Sequence, residues 1–218
     1  NFDIWLVNAD GSGARNLTQA NKAWDAGPVF SADGKTLYYR AMARPGFEAD
    51  RFALMAMDLA TGKARELAPK WDASADGITL SADGQWLYTT AQALGQHPLF
   101  RVSLANGAVE TVVEDGSVSA FDLAGPTLAV SRNSLKSGDV LYATSADGKA
   151  PLRAITPSAG DMLPDVAWGD YEQFTFAGWN NETVHGYVVK PWNYVPGKKY
   201  PVAFLIHGGP QGSFGNGW

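Results

Sequence analysis

A run of apolar residues near the end of the chain leads directly into a histidine and two glycines. The run is Val-Ala-Phe-Leu-Ile at residues 202–206, and His207, Gly208 and Gly209 follow it. An apolar run without alternation is typical of a strand buried on both faces of an α/β sheet. Glycines after such a strand let backbone N–H groups approach a ligand oxygen closely, because no Cβ is in the way. The pattern has two interpretations: an oxyanion-binding loop, or an ordinary strand-to-loop turn.

Composition excludes several other kinds of chemistry. The chain has 218 residues and no cysteine, which excludes a thiol nucleophile and cysteine zinc sites. Its histidines, His97, His185 and His207, lie too far apart in the sequence to indicate a metal cluster, so we predict no metal and no cofactor. A net charge of −5 argues against a nucleic-acid partner. No apolar run approaches the roughly 20 residues of a membrane helix.

The first three quarters of the chain contain an internal repeat. Residues 31–39 begin with Ser-Ala-Asp-Gly and continue as a short strand pattern, and residues 81–89 repeat both features. An Asp-Gly step between two apolar runs predicts a tight turn in a β-hairpin, because glycine accepts a positive φ without penalty. A weaker third copy spans residues 120–131.

A second set of hairpins alternates with the first. Their first strands start near residues 4, 54, 99 and 140, so the pattern repeats every 41 to 50 residues. Two hairpins per period form one four-stranded blade, which is typical of a β-propeller. A β-sandwich also has short, closely spaced strands, but it has no reason to repeat Ser-Ala-Asp-Gly at a blade interval. We therefore predict a mainly β protein with a partial β-propeller of about three to four blades.

The blade rhythm stops after residue 164, and a domain boundary near residue 170 follows. Two strands are predicted at residues 174–176 and 185–189, joined by a polar turn at residues 180–182. Pro191 ends the second strand because proline cannot donate to a β-ladder. The buried strand at residues 202–206 comes next.

These segments, in this order, resemble the prolyl oligopeptidase family of serine peptidases, and most closely its dipeptidyl aminopeptidase/acylaminoacyl peptidase branch. The likeness is carried by the propeller repeat, by His-Gly-Tyr-Val-Val-Lys-Pro at residues 185–191, and by residues 200–215, which include His-Gly-Gly-Pro-Gln-Gly-Ser-Phe-Gly. The resemblance covers the whole chain. It implies a partial propeller at residues 1–170 that filters substrates, and at residues 171–218 the truncated start of an α/β-hydrolase domain that cuts peptide bonds with a Ser-Asp-His triad.

The resemblance also implies roles for the glycines. Gly209 is expected to donate a backbone N–H to the oxyanion hole, and Gly208 to shape the turn. The chain contains no Gly-x-Ser-x-Gly motif, and Ser213 is not a substitute, because in the family all three triad residues come later than this loop. His207 is expected to brace the loop by hydrogen bonds rather than to act as a base. We expect a fragment, truncated on both sides, that is inactive by itself.

Three further residues are candidates for substrate binding. Dipeptidyl peptidases of the family bind the free amine of the substrate with a propeller glutamate, and the candidate here is Glu48. It lies in a charged insertion at residues 43–51 that is longer than a hairpin turn requires. The alternative is a solvated loop whose charges pair among themselves. Phe214 and Trp218 are candidates for the lining of a substrate pocket, with ordinary aromatic packing as the alternative.

The expected partner is a peptide substrate, from which dipeptides or acyl-amino acids are removed at the N-terminus, and a homo-oligomer is left open. Two other functions stay open as well. One is a propeller that acts as a protein-binding module, and the other is an esterase of the same fold. The absence of cysteine and the mild acidic charge suit the bacterial periplasm or cytoplasm. The periplasm is slightly favoured, and the compartment is not fixed.

Overall fold

Antiparallel β-strands make up nearly all the regular structure of this computed structural model, which describes residues 2–208 and 212–218. A two-stranded hairpin is followed by three four-stranded sheets, and in each sheet the strands lie side by side in chain order. The hairpin consists of β1 (Trp5–Leu6) and β2 (Arg15–Asn16). The first four-stranded sheet consists of β3 (Asp25–Phe30), β4 (Thr36–Ala41), β5 (Ala53–Asp58) and β6 (Ala64–Glu66). The second consists of β7 (Ile78–Leu80), β8 (Trp86–Thr90), β9 (Leu99–Ser103) and β10 (Val109–Val113). The third consists of β11 (Ser117–Ala124), β12 (Thr127–Ser134), β13 (Ser137–Ser145) and β14 (Arg153–Ala154).

A short helix, α1 (Ala159–Met162), separates the third sheet from a last hairpin of β15 (Tyr171–Ala177) and β16 (Thr183–Val189). In the turn between these strands, Asn180 and Asn181 have φ values of +55° and +59°. Asparagine is among the residues that tolerate this region best, so the polar turn predicted here is formed. Among the described residues no helix has the length and apolarity required to cross a membrane.

The predicted partial propeller is confirmed by the order of the sheets. Each consecutive group of four strands forms one antiparallel sheet, as expected for propeller blades. The predicted turns occur between the expected strands in each of the three sheets.

The Ser-Ala-Asp-Gly motif forms the same hydrogen-bonded turn at both predicted positions. At residues 31–34, Asp33 Oδ1 accepts hydrogen bonds from Ser31 Oγ at 2.7 Å and from the backbone N–H two residues later at 3.1 Å. At residues 81–84, Asp83 makes the same two bonds at 2.5 and 3.0 Å. Both hydrogen bonds stabilise the ionised carboxylate and hold the pKa of each aspartate below its usual value. The bond from the serine hydroxyl has the larger effect, and the bond from the backbone N–H the smaller one.

A third Ser-Ala-Asp-Gly turn occurs at residues 145–148, in the second set of hairpins, where the sequence analysis did not identify a copy of the motif. Ser145 Oγ donates to Asp147 Oδ1 at 2.5 Å, and Gly148 has a φ of +70°. This copy joins β13 to β14, the third and fourth strands of a sheet, whereas the other two copies join first and second strands. The motif therefore specifies a local turn and not a place in a blade. The strand order is the stronger reason to prefer a propeller over a sandwich.

The chain forms two compact units, one of residues Asn1–Ala91 and Leu99–Val112 and the other of Gln92–Pro98 and Val113–Trp218. The first unit has a core that includes Leu54, Leu87 and Val102, each at most 1% exposed. In β12 of the second unit the buried positions Leu128 and Val130 alternate with less buried ones, as expected where one face of a sheet packs and the other does not. The domain boundary predicted at residue 170 is not tested by this division.

The strand predicted at residues 202–206 is not formed in this structure. No strand or helix is assigned at residues 190–208, and four apolar side chains of the run are between 76% and 85% exposed: Val202, Phe204, Leu205 and Ile206. A strand of an α/β sheet needs neighbouring strands for its hydrogen bonds and helices to cover its faces. No other segment of the described residues pairs with this run, so its apolar composition alone does not produce a strand.

Candidate functional site

The predicted oxyanion loop follows the apolar run and is only partly covered by the described residues. Gly209, the predicted N–H donor, lies outside them. Gly208 is exposed, and a Cβ added to it would meet no atom within 4 Å. The structure thus gives no steric reason for a glycine at position 208, and the roles of both glycines stay predictions.

Two aromatic rings that flank this loop in the sequence contact each other. The ring of His207 lies just before it and the ring of Phe214 just after it, with centroids 4.9 Å apart and planes at 85°. This is the edge-to-face geometry that aromatic pairs prefer. Gly212 has a φ of +114°, which other residues rarely adopt, so of the two described glycines at this loop, Gly208 and Gly212, the second is the one whose backbone requires glycine. The sequence analysis missed Gly212. The hydrogen bonds predicted for His207 stay a prediction.

Phe214 and Trp218 are brought into the second unit, but as packing residues of its surface. Trp218 packs edge-on against Trp168, with ring centroids 5.2 Å apart, and its backbone N–H donates to Asn133 Oδ1 at 3.0 Å. Phe214 and Trp218 keep 57% and 64% of their surface exposed. These contacts fit ordinary aromatic packing, and a role of either residue in substrate binding stays a prediction.

Two clefts within the described residues contain none of the predicted site residues. One of about 460 Å³ lies in the first unit and is lined by residues 67–71, 106, 107 and 109. Another of about 550 Å³ lies in the second unit beside the third Ser-Ala-Asp-Gly turn and is lined by residues 143, 144 and 150–153. Neither is the pocket expected beside Phe214.

The insertion that carries Glu48 is a folded loop between β4 and β5, and Asp50 holds its ends together. Asp50 Oδ2 accepts the backbone N–H groups of Ala43 and Arg44 at 2.8 and 2.7 Å, and Arg44 Nε lies 3.2 Å from Asp50 Oδ1. Burial acts to raise the pKa of Asp50, but these donors outweigh burial and lower it. The guanidinium of Arg44 also lies 3.7 Å from the centre of the Phe47 ring. The loop therefore has a defined shape.

Glu48 is exposed and is left out of this pairing. Arg44 pairs with Asp50, and Arg51 pairs with Glu66 at 2.8 Å. Within the part of the chain that the structure describes, the Glu48 carboxylate makes no hydrogen bond or ion pair. The alternative interpretation, a loop whose charges pair among themselves, thus holds for Arg44 and Asp50, whereas Arg51 pairs outside the insertion.

The other two histidines occupy a loop and a strand position. Nδ1 of His97 lies 2.8 Å from the carbonyl oxygen of Val118, and His185 lies opposite Thr175 in the last hairpin. Over residues 2–208 and 212–218, no group of three or more His, Asp or Glu side chains could hold a metal ion.

One residue near the loop was not predicted at all. Asn216 is 3% exposed, and it hydrogen-bonds to three other segments of the second unit. A lone Asn-Gly step gave no signal for this, because its partners lie between 45 and 120 residues away in the sequence.

Comparison with known proteins places this arrangement among peptidases. No family model matches the chain. A protein named probable dipeptidyl-peptidase 5 from Arthroderma benhamiae is 35% identical over 99% of this chain and 32% of the relative. Dipeptidyl-peptidase 5 from Arthroderma otae is 36% identical over 88% of this chain and 27% of the relative. The chain thus spans about a third of the length of the curated relatives it matches.

The solved structure of an acylaminoacyl peptidase from Pyrococcus horikoshii has the same fold, with a TM-score of 0.75 at 19% identity, over 98% of this chain and 32% of that one. The four-stranded sheets are those of a partial propeller, and the relatives that share this region are named as peptidases. More specifically, the chain belongs to the prolyl oligopeptidase family, as its residues 185–191 and 200–215 indicated. The two curated relatives are fungal, so they give no support to the predicted bacterial compartment.

Proposed function

We propose that the protein is a serine exopeptidase that removes dipeptides or acyl-amino acids from peptide N-termini. The observation that carries this proposal is the 35% identity, over 99% of the chain, to a protein named dipeptidyl-peptidase 5. The activity of the whole protein is part of the proposal, because the chain spans only about a third of that relative. Because the relatives are fungal, the proposal does not include a location in the bacterial periplasm.

The proposed reaction proceeds through an acyl-enzyme. A serine attacks the peptide carbonyl carbon, a histidine takes the serine proton and then gives it to the leaving amine, and an aspartate orients the histidine. None of the three is assigned to the 218 residues, which contain no Gly-x-Ser-x-Gly. The contribution of this chain is the backbone N–H of Gly209, which donates to the oxyanion of the tetrahedral intermediate, with Gly208 shaping the turn.

We assign the propeller at residues 1–170 to substrate selection and residues 171–218 to the start of the catalytic domain. In this proposal the substrate reaches the catalytic domain through the propeller, whose narrow entrance admits short or unfolded peptides and excludes folded proteins. Phe214 and Trp218 are proposed to contact the substrate at the catalytic domain, where half or more of each side chain is free to do so.

Glu48 is proposed to bind the ammonium group of the substrate. Its support is the charge pairing of the loop: Asp50 is engaged by Arg44 and by two backbone N–H groups, so Glu48 is the acidic group of the insertion that is free to take a cation. An ion pair in open water contributes only about 0–1 kcal/mol. Glu48 therefore acts only where the bound peptide excludes water from the pair.

Glu48→Gln in the full-length protein is expected to raise KM about tenfold or more for substrates with a free N-terminus, because a hydrogen bond to a charged group contributes about 1.5–3 kcal/mol. The KM for N-blocked substrates should change little. Steady-state kinetics with paired free and blocked peptides measure both. The matched control is Glu114→Gln, at an exposed glutamate outside the insertion. Equal changes for free and blocked substrates would remove Glu48 from the site.

The proposed activity is tested by assaying the full-length protein with dipeptidyl, acyl-aminoacyl and simple ester reporters. We expect turnover of a peptide reporter and labelling by a fluorophosphonate. The 218-residue polypeptide, which lacks a nucleophile motif, is expected to show neither. Turnover of esters alone would favour the esterase. A full-length protein that neither turns over a reporter nor labels would favour the protein-binding propeller.

A further inference from the structure

A buried carboxyl group lies where three segments of the first compact unit meet. Asp25, the first residue of β3, is 3% exposed. Its backbone N–H donates to the carbonyl of Phe2 at 2.9 Å, and its Oδ1 accepts a hydrogen bond from Asn21 Nδ2 at 2.9 Å. Asp25 therefore joins β3 to the segment before β1 and to the loop after β2.

The segments that meet at Asp25 are also tied to one another. The backbone N–H of Ile4 donates to Thr18 Oγ1 at 2.9 Å, and Ile4 belongs to a buried cluster with side chains of β4 and β5. The same Asn21 Nδ2 that bonds to Asp25 also donates to the carbonyl of Met42, directly after β4, at 3.0 Å. The hold of the first hairpin on the first sheet thus depends on a few buried polar contacts around this carboxyl group.

The two oxygens of this carboxyl group differ in their surroundings. Oδ1 has the hydrogen bond from Asn21, whereas Oδ2 is buried and no donor of the described residues lies within hydrogen-bond distance of it. An ionised carboxylate is stable away from water only where donors or a cation surround it, and otherwise it takes up a proton. The surroundings of Oδ2 therefore favour the neutral carboxylic acid.

The acidic groups around Asp25 make its ionised form less favourable. The segment before β1 contributes a second carboxylate, Asp3, and β4 contributes the buried phenol of Tyr39, whose pKa is raised to about 12 by burial and then by the charge of Asp25. Burial has the largest effect on the pKa of Asp25 and raises it. Hydrogen bonds from Asn21 and Thr18 lower this pKa by less, and the charge of Asp3 adds to the rise.

The basic residues on these elements are directed elsewhere. Lys22, in the loop after β2, is exposed and donates to the carbonyl of Gln19 at 2.8 Å. Arg15 of β2 is exposed, and Arg40 of β4 donates to the carbonyl of Ala75 at 2.9 Å. Within the described part of the chain, the charge that acts on the buried carboxyl group is thus a like charge and not a cation.

We propose that Asp25 is a proton-binding site that makes the attachment of the first hairpin to β3 sensitive to pH. With the proton bound, the neutral carboxyl group stays buried and the hairpin is closed onto β3. When the proton leaves, the charged group lowers its free energy by reaching water, which requires the segment before β1 or the loop after β2 to open locally. This role is independent of the proposed peptidase activity.

The direction of the pH dependence follows from the raised pKa. The contribution of Asp25 to local stability is complete below the ordinary aspartate value of 3.8, and it is lost as the pH rises through the raised value in the folded protein. Asp33 and Asp83 have lowered pKa values and contribute in the opposite direction. A variant at position 25 is therefore needed to isolate the effect of this one group.

Asp25→Asn in the full-length protein tests the proposal, because asparagine keeps an acceptor for Asn21 and cannot ionise. Amide hydrogen exchange is measured for both proteins over a range of pH, and the ratio of the wild-type rate to the variant rate cancels the intrinsic pH dependence of exchange. At residues 2–6 and 15–21 this ratio should rise as the pH increases above 3.8, by up to about tenfold per pH unit, the limit for one proton. In β8 and β9 it should stay constant.

Asp3→Asn is the second variant, and it removes the like charge while Asp25 can still ionise. The ratio of the wild-type rate to the Asp3→Asn rate at the same residues should also rise with pH, by a smaller factor, so this pair tests the proposal even if Asp25→Asn does not fold. Asp165→Asn, at an exposed aspartate of the second unit, is the matched control and should exchange as the wild type does.

Two outcomes would overturn the proposal. A ratio of wild type to Asp25→Asn that is constant with pH would mean that this group does not change its proton occupancy when the hairpin opens. A ratio that falls as the pH rises would mean that the folded protein binds the ionised carboxylate, through a cation or a buried water, and that the proton is not what closes the hairpin.

Discussion

Gly209→Val in the full-length protein is expected to lower kcat by about 10²–10³, because removal of one oxyanion donor has an effect of this size. A backbone N–H cannot be deleted by a side-chain substitution, so the test is steric. A β-branched side chain restricts the backbone and occupies the space next to the N–H, where the oxyanion must lie. The melting temperature should stay near the wild-type value, since neighbouring Gly208 is exposed and packs against nothing within 4 Å of a Cβ.

The matched control for this experiment is Gly77→Val. Gly77 is also exposed, its φ is not positive, and a Cβ there would meet no atom within 4 Å. It lies at the start of a propeller strand, so kcat should be unaffected. Differential scanning calorimetry and steady-state kinetics on both variants separate folding from catalysis. An unchanged kcat for Gly209→Val would end the oxyanion assignment, and a large fall in its melting temperature would assign the loss to folding.

Features that depend on neighbours in the sequence were predictable. Ser31 and Asp33 are two residues apart, and the side-chain bonds that shape their turn are complete within residues 31–36. The same holds for Asn180 and Asn181, which supply the left-handed backbone of the last hairpin. Such turns fix where strands start and end, and this is why the order of strands follows from the pattern. The extra copy at residues 145–148 shows that a turn motif does not by itself locate a blade.

Features that depend on distant partners were not predictable in the same way. The apolar run at residues 202–206 indicated a strand, yet a strand exists only where other segments take its hydrogen bonds. Asn216 offered no pattern, because its hydrogen-bond partners Gln96 and Tyr171 lie 120 and 45 residues away. For Glu48 the sequence supplied the unusual loop length, and only the structure shows that Arg44 is taken by Asp50.

Two glycines at equivalent turns differ in whether a distant segment packs against them, and they allow a matched comparison of stability. Gly62 lies in the turn between β5 and β6, and Gly107 in the turn between β9 and β10, with φ values of +69° and +74°. Both lie in hairpins of the second predicted set, which start near residues 54 and 99. A Cβ on Gly62 would meet nothing within 4 Å, but a Cβ on Gly107 would lie 1.9 Å from the carbonyl oxygen of Leu67.

Gly107→Ala is therefore expected to lower the free energy of unfolding by about 2–5 kcal/mol, and Gly62→Ala by only about 1–2 kcal/mol. Both variants strain a left-handed backbone, at about 1–2 kcal/mol. Gly107→Ala must also displace the backbone at Leu67 and Ala68, which are 3% and 5% exposed and belong to the core of the first unit. Forcing extra volume into a packed core typically costs another 1–3 kcal/mol or so. Urea unfolding of the two variants, with the m-value checked for a change in mechanism, measures the difference. Equal losses would mean that the close approach to Leu67 relaxes without cost and that turn strain alone sets the requirement for glycine.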